Sequence, residues 1–75
     1  MGNEIGDDIR DTATTAISVA IRRAGDAKAL SELCGSSYRQ VLRWRDGVSV
    51  IGAEYALKVA DAVDMEPSDF RPDIF

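Results

Sequence analysis

The chain has 75 residues, of which 45 % are hydrophobic and 29 % charged, and its formal net charge is −4. A chain of this length supports one domain with a modest core, since it buries roughly 60 % of the surface that its unfolded form exposes. No apolar run approaches the roughly 18 residues of a membrane span, and the N-terminus lacks the basic start and apolar stretch of a secretory signal. We therefore expect a cytoplasmic protein that does not contact a membrane.

The first predicted helix carries apolar residues at helical spacing, namely Ala13, Ala16, Ile17, Ala20, Ile21 and Ala24. Aspartates lie near its start and Arg22 and Arg23 in its last turn, which is the charge order that the helix dipole favours. Gly25 follows as a typical helix end. Residues 1–11 are interpreted as an acidic N-terminal extension or as the start of this helix.

The second predicted helix is about two turns long and lies between Asp26, a favourable N-cap residue, and Gly35, which can adopt the left-handed conformation of a helix end. Its predicted apolar face consists of Ala27, Leu30, Leu33 and Cys34. Because Cys34 is the only cysteine, it cannot form an internal disulfide, and we interpret it as a small buried hydrophobe rather than a reactive thiol.

The third predicted helix covers residues 38–45. Ser37 followed by Gln40 has the form of a capping box, and Asp46-Gly47 breaks the helical pattern. Val41 and Trp44 lie three residues apart and are predicted to face the core. For Trp44 this core position is preferred over a role as a base-stacking platform.

The fourth predicted helix carries the apolar stripe Ala53, Ala56, Leu57, Ala60 and Val63. Before it, residues 48–51 are expected to form a loop that covers the core rather than an isolated strand. After it, Pro67 is placed to open a single helical turn, and Phe70 and Ile74 are expected to share one face. The sequence thus predicts an all-α, compact bundle of four to five short helices.

Helix two, the Gly35 turn and helix three have the spacing of a helix-turn-helix, the motif whose second helix enters the major groove of DNA. Residues 12–75 are therefore interpreted as a helix-turn-helix DNA-binding domain. If Val41 and Trp44 face the core, a rotation of about 100° per residue puts Tyr38, Arg39, Leu42 and Arg43 on the accessible side. The predicted DNA-binding residues are Lys28, Ser37, Tyr38, Arg39, Leu42, Arg43 and Arg45.

Each of these side chains has a chemical reason to contact DNA. Arg39 and Arg43 can each bind the O6 and N7 atoms of guanine, and Leu42 can meet a thymine methyl group. The hydroxyl groups of Ser37 and Tyr38 can reach a phosphate or a base edge. Lys28 and Arg45 are interpreted as phosphate contacts, with pairing to Asp46 as the alternative for Arg45.

Three stretches resemble a known family: "ALSELCGSSYRQVLRWRDG", "AEYALKVADAV" and "FRPDIF". Over residues 25–75 they are similar to Cro-type phage repressors and to the related YdaS-type antitoxins. Ser31, Ser36 and Gly52 depart from the alanine, the valine or isoleucine, and the proline that are common in the family at these places. The resemblance implies a DNA-binding regulator and, for the antitoxins, a toxin protein as a second partner.

Charge is unevenly distributed along the chain. Residues 1–11 carry a net charge of −3, residues 21–50 carry +3 and residues 51–75 carry −4. The basic middle suits a phosphate backbone, because the local field decides whether DNA can approach one face. The acidic ends motivate a second hypothesis, a protein-interaction module or antitoxin with the same fold.

An enzymatic function is not expected. The chain contains no histidine, which removes the usual zinc sites and Ser-His-Asp or Cys-His catalysis, and it has no Walker loop, dinucleotide fingerprint or nucleophile elbow. The pairs Asp7/Asp8 and Asp61/Asp64 are interpreted as solvated surface residues. The prediction is therefore a regulator of the Cro type without metal or cofactor, which binds double-stranded DNA as a homodimer.

Overall fold

A computed structural model describes residues 6–75, and this range folds into five helices. They are α1 (Asp7–Ala24), α2 (Ala27–Cys34), α3 (Tyr38–Asp46), α4 (Ala53–Val63) and α5 (Pro67–Phe70), and this range contains no strand. The predicted all-α class is confirmed. Of the acidic stretch 1–11, residues 1–5 lie outside the described range, whereas the part from Asp7 onward belongs to α1.

The helix ends follow from local sequence signals. The Asp26 carboxylate accepts a hydrogen bond from the Ala29 N–H at 2.8 Å and thereby caps α2. Gly35 ends the same helix with a left-handed backbone at φ 74°, a conformation that residues with a Cβ avoid. The Ser37 hydroxyl accepts the Gln40 N–H at 3.0 Å, as predicted for the start of α3.

Only half of the predicted capping box forms at α3. Instead of returning to the backbone N–H of Ser37, the Gln40 side chain donates through Nε2 to the Ser49 Oγ at 3.3 Å. The prediction for Gln40 was therefore wrong. Its amide ties α3 to the loop that leads to α4, because Ser49 lies within reach only once that loop has folded back.

The core is built around α1, which contacts each of the other four helices. The largest fully buried side chains of the core come from every part of the bundle: Ile17, Leu30, Val41, Ile51, Val59 and Phe70. Residues 48–51 form the predicted loop, in which Ile51 is fully buried while Val48 is exposed. Pro67 is the first residue of α5, as predicted.

Leu33 and Leu57 were wrongly predicted for the apolar faces of α2 and α4, because they are 56 % and 50 % exposed. Ile74, expected to share a face with the fully buried Phe70, is 49 % exposed. The buried residues of α2 are Ala27, Leu30, Ser31 and Cys34, and those of α4 are Ala56, Val59, Ala60 and Val63. Both sets have the spacing i, i+3, i+4, i+7, and Leu33 and Leu57 fall outside it. Val59 was not part of the predicted apolar stripe of α4, yet it is fully buried, whereas Leu57 of that stripe is exposed.

Two arginines of α1 bind the C-terminal ends of other helices. Arg10 Nη1 donates to the Gly47 carbonyl at 2.6 Å, just after α3. Arg23 Nη1 donates to the carbonyls of Val63 and Asp64, each at 2.9 Å, at the end of α4. Carbonyl groups at helix C-termini lack partners within their helix and carry partial negative charge, so both contacts are favourable.

A third arginine, Arg71, is only 8 % exposed and fastens the C-terminal segment to the α3–α4 loop. Its Nη1 donates to the Ile51 carbonyl at 2.9 Å, and its Nε and Nη2 bind the Asp73 carboxylate at 2.9 and 2.7 Å. The hydrogen bond to Asp73 raises the pKa of Arg71, and the hydrogen bond from Arg71 lowers the pKa of Asp73. The guanidinium thus joins two segments that lie 20 residues apart.

Candidate nucleic-acid interface

Helices α2 and α3 pack against each other across a three-residue turn, residues 35–37. The four apolar contacts predicted for this packing, Leu30, Cys34, Val41 and Trp44, are all buried. Ser31 is 4 % exposed, and its hydroxyl donates to the Lys28 carbonyl at 2.6 Å. The serine that stands where the resembling family has alanine is therefore accommodated without an unsatisfied polar group.

On the accessible side of α3, Tyr38, Arg39 and Arg43 are all exposed, and the two arginines lie farthest from Val41 and Trp44. Leu42 differs, because it is half-buried and packs against the core. Leu42, predicted on the accessible side, is therefore only partly accessible. Since α3 packs against α1 as well as α2, its core-facing arc is wider than Val41 and Trp44 alone define.

The nine Lys and Arg side chains fall into three groups. Arg10, Arg23 and Arg71 donate to main-chain carbonyls, and Arg45 and Lys58 pair with neighbouring carboxylates. Within residues 6–75 the other four side chains form no hydrogen bond or ion pair: Arg22, Lys28, Arg39 and Arg43. Three of these four belong to α2 and α3, so the unpaired positive charge is concentrated on that helix pair.

Arg45 takes the alternative that the sequence left open. Its Nε lies 2.8 Å from Asp46 Oδ1, and both side chains are about half exposed. The hydrogen bond raises the pKa of Arg45 and lowers that of Asp46. An exposed ion pair of this kind contributes little because solvent screens it, so a phosphate can compete with Asp46 for the guanidinium.

Lys28 and Tyr38 line the same surface groove, together with Asp26 and Ala27. The structure thus brings together the start of α2 and the first residue of α3. Ser37 does not line the groove of Lys28 and Tyr38. Its side-chain oxygen caps α3, and the residue lines a second groove. The predicted contacts therefore flank α3 rather than forming one pocket.

The second groove lies between the start of α3 and the start of α4. It is lined by Gly35, Ser36, Ser37, Gln40, Trp44, Ser49, Val50, Gly52 and Tyr55. The Trp44 and Tyr55 rings pack at a centroid distance of 5.4 Å with a tilt of 55°. Sequence reasoning missed Ser49 and Tyr55, and no local pattern marks them, since Ser49 reaches the groove from the α3–α4 loop and Tyr55 from α4 only once the chain has folded.

A cleft near α1 and α5 joins the two acidic ends of the chain. Asp11 and Asp69 line it together with Thr12, Thr15, Ala16 and Met65. The pairs Asp7/Asp8 and Asp61/Asp64 are exposed, as predicted. In the described part of the chain, no three His, Cys, Asp or Glu side chains lie close enough together to hold a metal ion.

No protein-family model, curated protein or solved structure matches the chain. The resemblance to Cro-type repressors and YdaS-type antitoxins therefore rests on the quoted residues alone. Between residues 6 and 75, no helix has both the length and the apolar character that a membrane crossing requires.

Proposed function

We propose that the protein is a sequence-specific DNA-binding transcriptional regulator of the Cro type. In this proposal α2, the turn at residues 35–37 and α3 form a helix-turn-helix, and α3 reads the major groove of an operator. The observation that carries the proposal is the placement of Arg39 and Arg43. They are exposed on the face of α3 opposite the core, and neither has a side-chain partner among residues 6–75.

The contrast with the other arginines strengthens this interpretation. Arg10, Arg23 and Arg71 stabilise the fold through main-chain carbonyls that lie 20–41 residues away in sequence. Arg39 and Arg43 make no such contact, so their guanidinium groups are available for bidentate binding to guanine. An acidic protein can present a basic surface in this way, because a local field, not the net charge of −4, acts on approaching DNA.

Contacts to phosphate would flank these two base-reading side chains. Lys28 and Tyr38 occupy one groove beside the start of α3, and the Ser37 hydroxyl lines the other. Ser37 Oγ accepts the Gln40 N–H, which leaves its own proton for a phosphate oxygen. Phosphate contacts of this kind position a recognition helix, while the base contacts specify the sequence.

We expect the regulator to bind as a homodimer to a palindromic operator, with two copies of α3 one DNA turn apart. One helix-turn-helix of this size makes too few contacts for tight specific binding. The exposed apolar side chains of α4 and the C-terminal segment, Leu57, Ile74 and Phe75, supply surface for the second copy. Their exposure of 44–50 % is what a dimer contact would cover.

Selection from a random duplex library at low salt tests the proposal. We expect one enriched palindromic motif for the wild-type chain and none for Arg39→Ala/Arg43→Ala. Arg22→Ala serves as the matched control, because it removes another exposed, unpaired arginine from α1 and should keep the motif. Failure of the folded wild-type protein to enrich any motif would refute the proposal.

A second candidate, a protein-interaction module or antitoxin, is favoured by the cleft that Asp11 and Asp69 share. Two acidic segments of the sequence converge there, on residues outside α2 and α3, so a basic toxin protein and DNA could be bound together. Pull-down from native extract, with and without nuclease, tests this candidate. Loss of every retained protein after nuclease treatment contradicts it, and a nuclease-resistant partner that Asp11→Asn/Asp69→Asn no longer retains supports it.

A further inference from the structure

The indole N–H of Trp44 has no hydrogen-bond acceptor among residues 6–75, although the residue is only 3 % exposed. In the same range, every buried side-chain nitrogen or oxygen that is sealed from solvent has a partner. The indole nitrogen is therefore not sealed and reaches the surface. Trp44 is one of the residues that line the groove between α3 and α4.

Other donors meet in this groove, which we call the α3–α4 groove. Ser49 Oγ accepts a hydrogen bond from Gln40, so its own proton remains available. The Tyr55 hydroxyl makes no hydrogen bond to any residue from 6 to 75, and Gly52 begins α4 without a side-chain cap for the first N–H groups. The groove is thus rich in donors that lack acceptors.

The lining of the α3–α4 groove is uncharged, so it does not repel an anion. None of its lining residues is an aspartate or a glutamate. On α4, the Lys58 ammonium lies 5.3 Å from the centroid of the Tyr55 ring that lines the groove. Glu54 is the nearest carboxylate in sequence, and it is held by Lys58 at 3.7 Å.

We infer that the α3–α4 groove binds a phosphate oxyanion, with the indole N–H of Trp44 and the hydroxyls of Ser49 and Tyr55 as donors. An indole is a donor only and a phosphate offers acceptor oxygens, so each satisfies the other. Hydroxyl donors and helix N-termini are common phosphate ligands. If the protein binds DNA as proposed, the phosphate belongs to the DNA backbone and is not a free phosphate. This source of the phosphate is the only part of the inference that rests on the proposed function.

The single tryptophan makes the test direct, because the chain gives one indole resonance in a ¹H–¹⁵N correlation spectrum. Titration with inorganic phosphate is expected to shift this resonance saturably, whereas chloride at equal ionic strength is not. Titration with the duplex selected above then tests DNA as the source. An indole resonance that responds to neither phosphate nor duplex overturns the inference.

Variants separate the donors from the fold. Ser49→Ala/Tyr55→Phe and Trp44→Phe should each weaken phosphate and duplex binding roughly tenfold or more, as expected when hydrogen bonds to a charged group are lost. Ser18→Ala, an exposed serine of α1, is the control and should change neither. Because the double variant leaves Trp44 in the core, it remains informative if Trp44→Phe does not fold.

The outcomes for the groove and for the proposed function are distinguishable. If the duplex binds through Arg39 and Arg43 while the groove variants bind it as tightly as wild type, the phosphate inference is wrong and the proposed function stands. If phosphate shifts the indole resonance but no duplex is enriched, the groove is a site for free phosphate and the proposed function is wrong.

Discussion

Replacing Arg71 with methionine should destabilise the protein more than its position near the C-terminus suggests. Arg71→Met keeps much of the side-chain volume but removes the hydrogen bond to the Ile51 carbonyl and both bonds to Asp73. Arg71 is only 8 % exposed, so little solvent is present to replace these partners. The Ile51 carbonyl, at the end of the α3–α4 loop, would lose a charged donor.

The size of the effect follows from the contacts. A hydrogen bond from a charged donor contributes about 1.5–3 kcal/mol. The ion pair adds less than this hydrogen bond, because the Asp73 side chain is 32 % exposed and screened by solvent. We therefore expect a loss of about 1.5–3 kcal/mol in the free energy of unfolding, mainly from the contact with Ile51, out of the roughly 4–11 kcal/mol that 75 residues provide at typical values per residue.

Urea unfolding followed by Trp44 fluorescence measures this loss, since Trp44 is the only tryptophan and is 3 % exposed in the fold. Asp73→Asn is the matched control, because it removes the charge pair but keeps the bond from Arg71 to Ile51. It should cost clearly less stability than Arg71→Met, because an exposed ion pair contributes little. Equal losses for Arg71→Met and Asp73→Asn would refute the reasoning, because the contact with Ile51 would then contribute nothing.

Three further predictions concern DNA binding, pH and assembly. Arg39→Ala and Arg43→Ala should each weaken the preferred duplex by about 1–3 kcal/mol and relax the preference at one base pair, whereas Lys28→Ala should weaken all duplexes alike and reduce the salt slope by about one unit. Competition binding at several salt concentrations measures this, and unchanged affinity in both folded arginine variants would exclude α3 as the reading helix. Arg71 lowers the pKa of Asp73, so the pair stabilises the folded state. This stabilisation is complete above the ordinary aspartate pKa of about 3.9 and is lost as the pH falls through the lowered pKa of Asp73. Urea midpoints against pH should therefore fall less steeply in acid for Asp73→Asn, and identical slopes would contradict the assignment. Sedimentation of the complex with a full operator should give two protein chains per duplex, and a saturated complex with one chain would contradict the dimer.

The sequence alone determined the helices and most of their ends. Asp26 and Ser37 cap the helices that follow them because their side-chain oxygens reach N–H groups three residues away. Gly35 ends α2 because its backbone adopts a left-handed conformation. Each of these signals acts within one helical turn, so it can be recognised without knowledge of the fold.

Periodicity fixed which side of each helix is buried only approximately. Both Leu57 and Val59 are apolar neighbours of Ala56 and Ala60 on α4, and only the packing of α4 made Val59 the buried one. The phase of a stripe is uncertain by about one residue, or 100° of rotation, when apolar side chains lie on both of its edges.

The tertiary structure alone decided which cations are available for a ligand. The sequence assigned Arg23 to the same basic segment as Arg39, yet Arg23 donates to carbonyls at the end of α4, 40 and 41 residues away. The groove that Trp44 and Ser49 line together was equally invisible in the sequence. A side chain's charge and length are local properties, but its partner depends on which main-chain carbonyl or solvent-filled groove the packing of distant helices brings within about 3 Å.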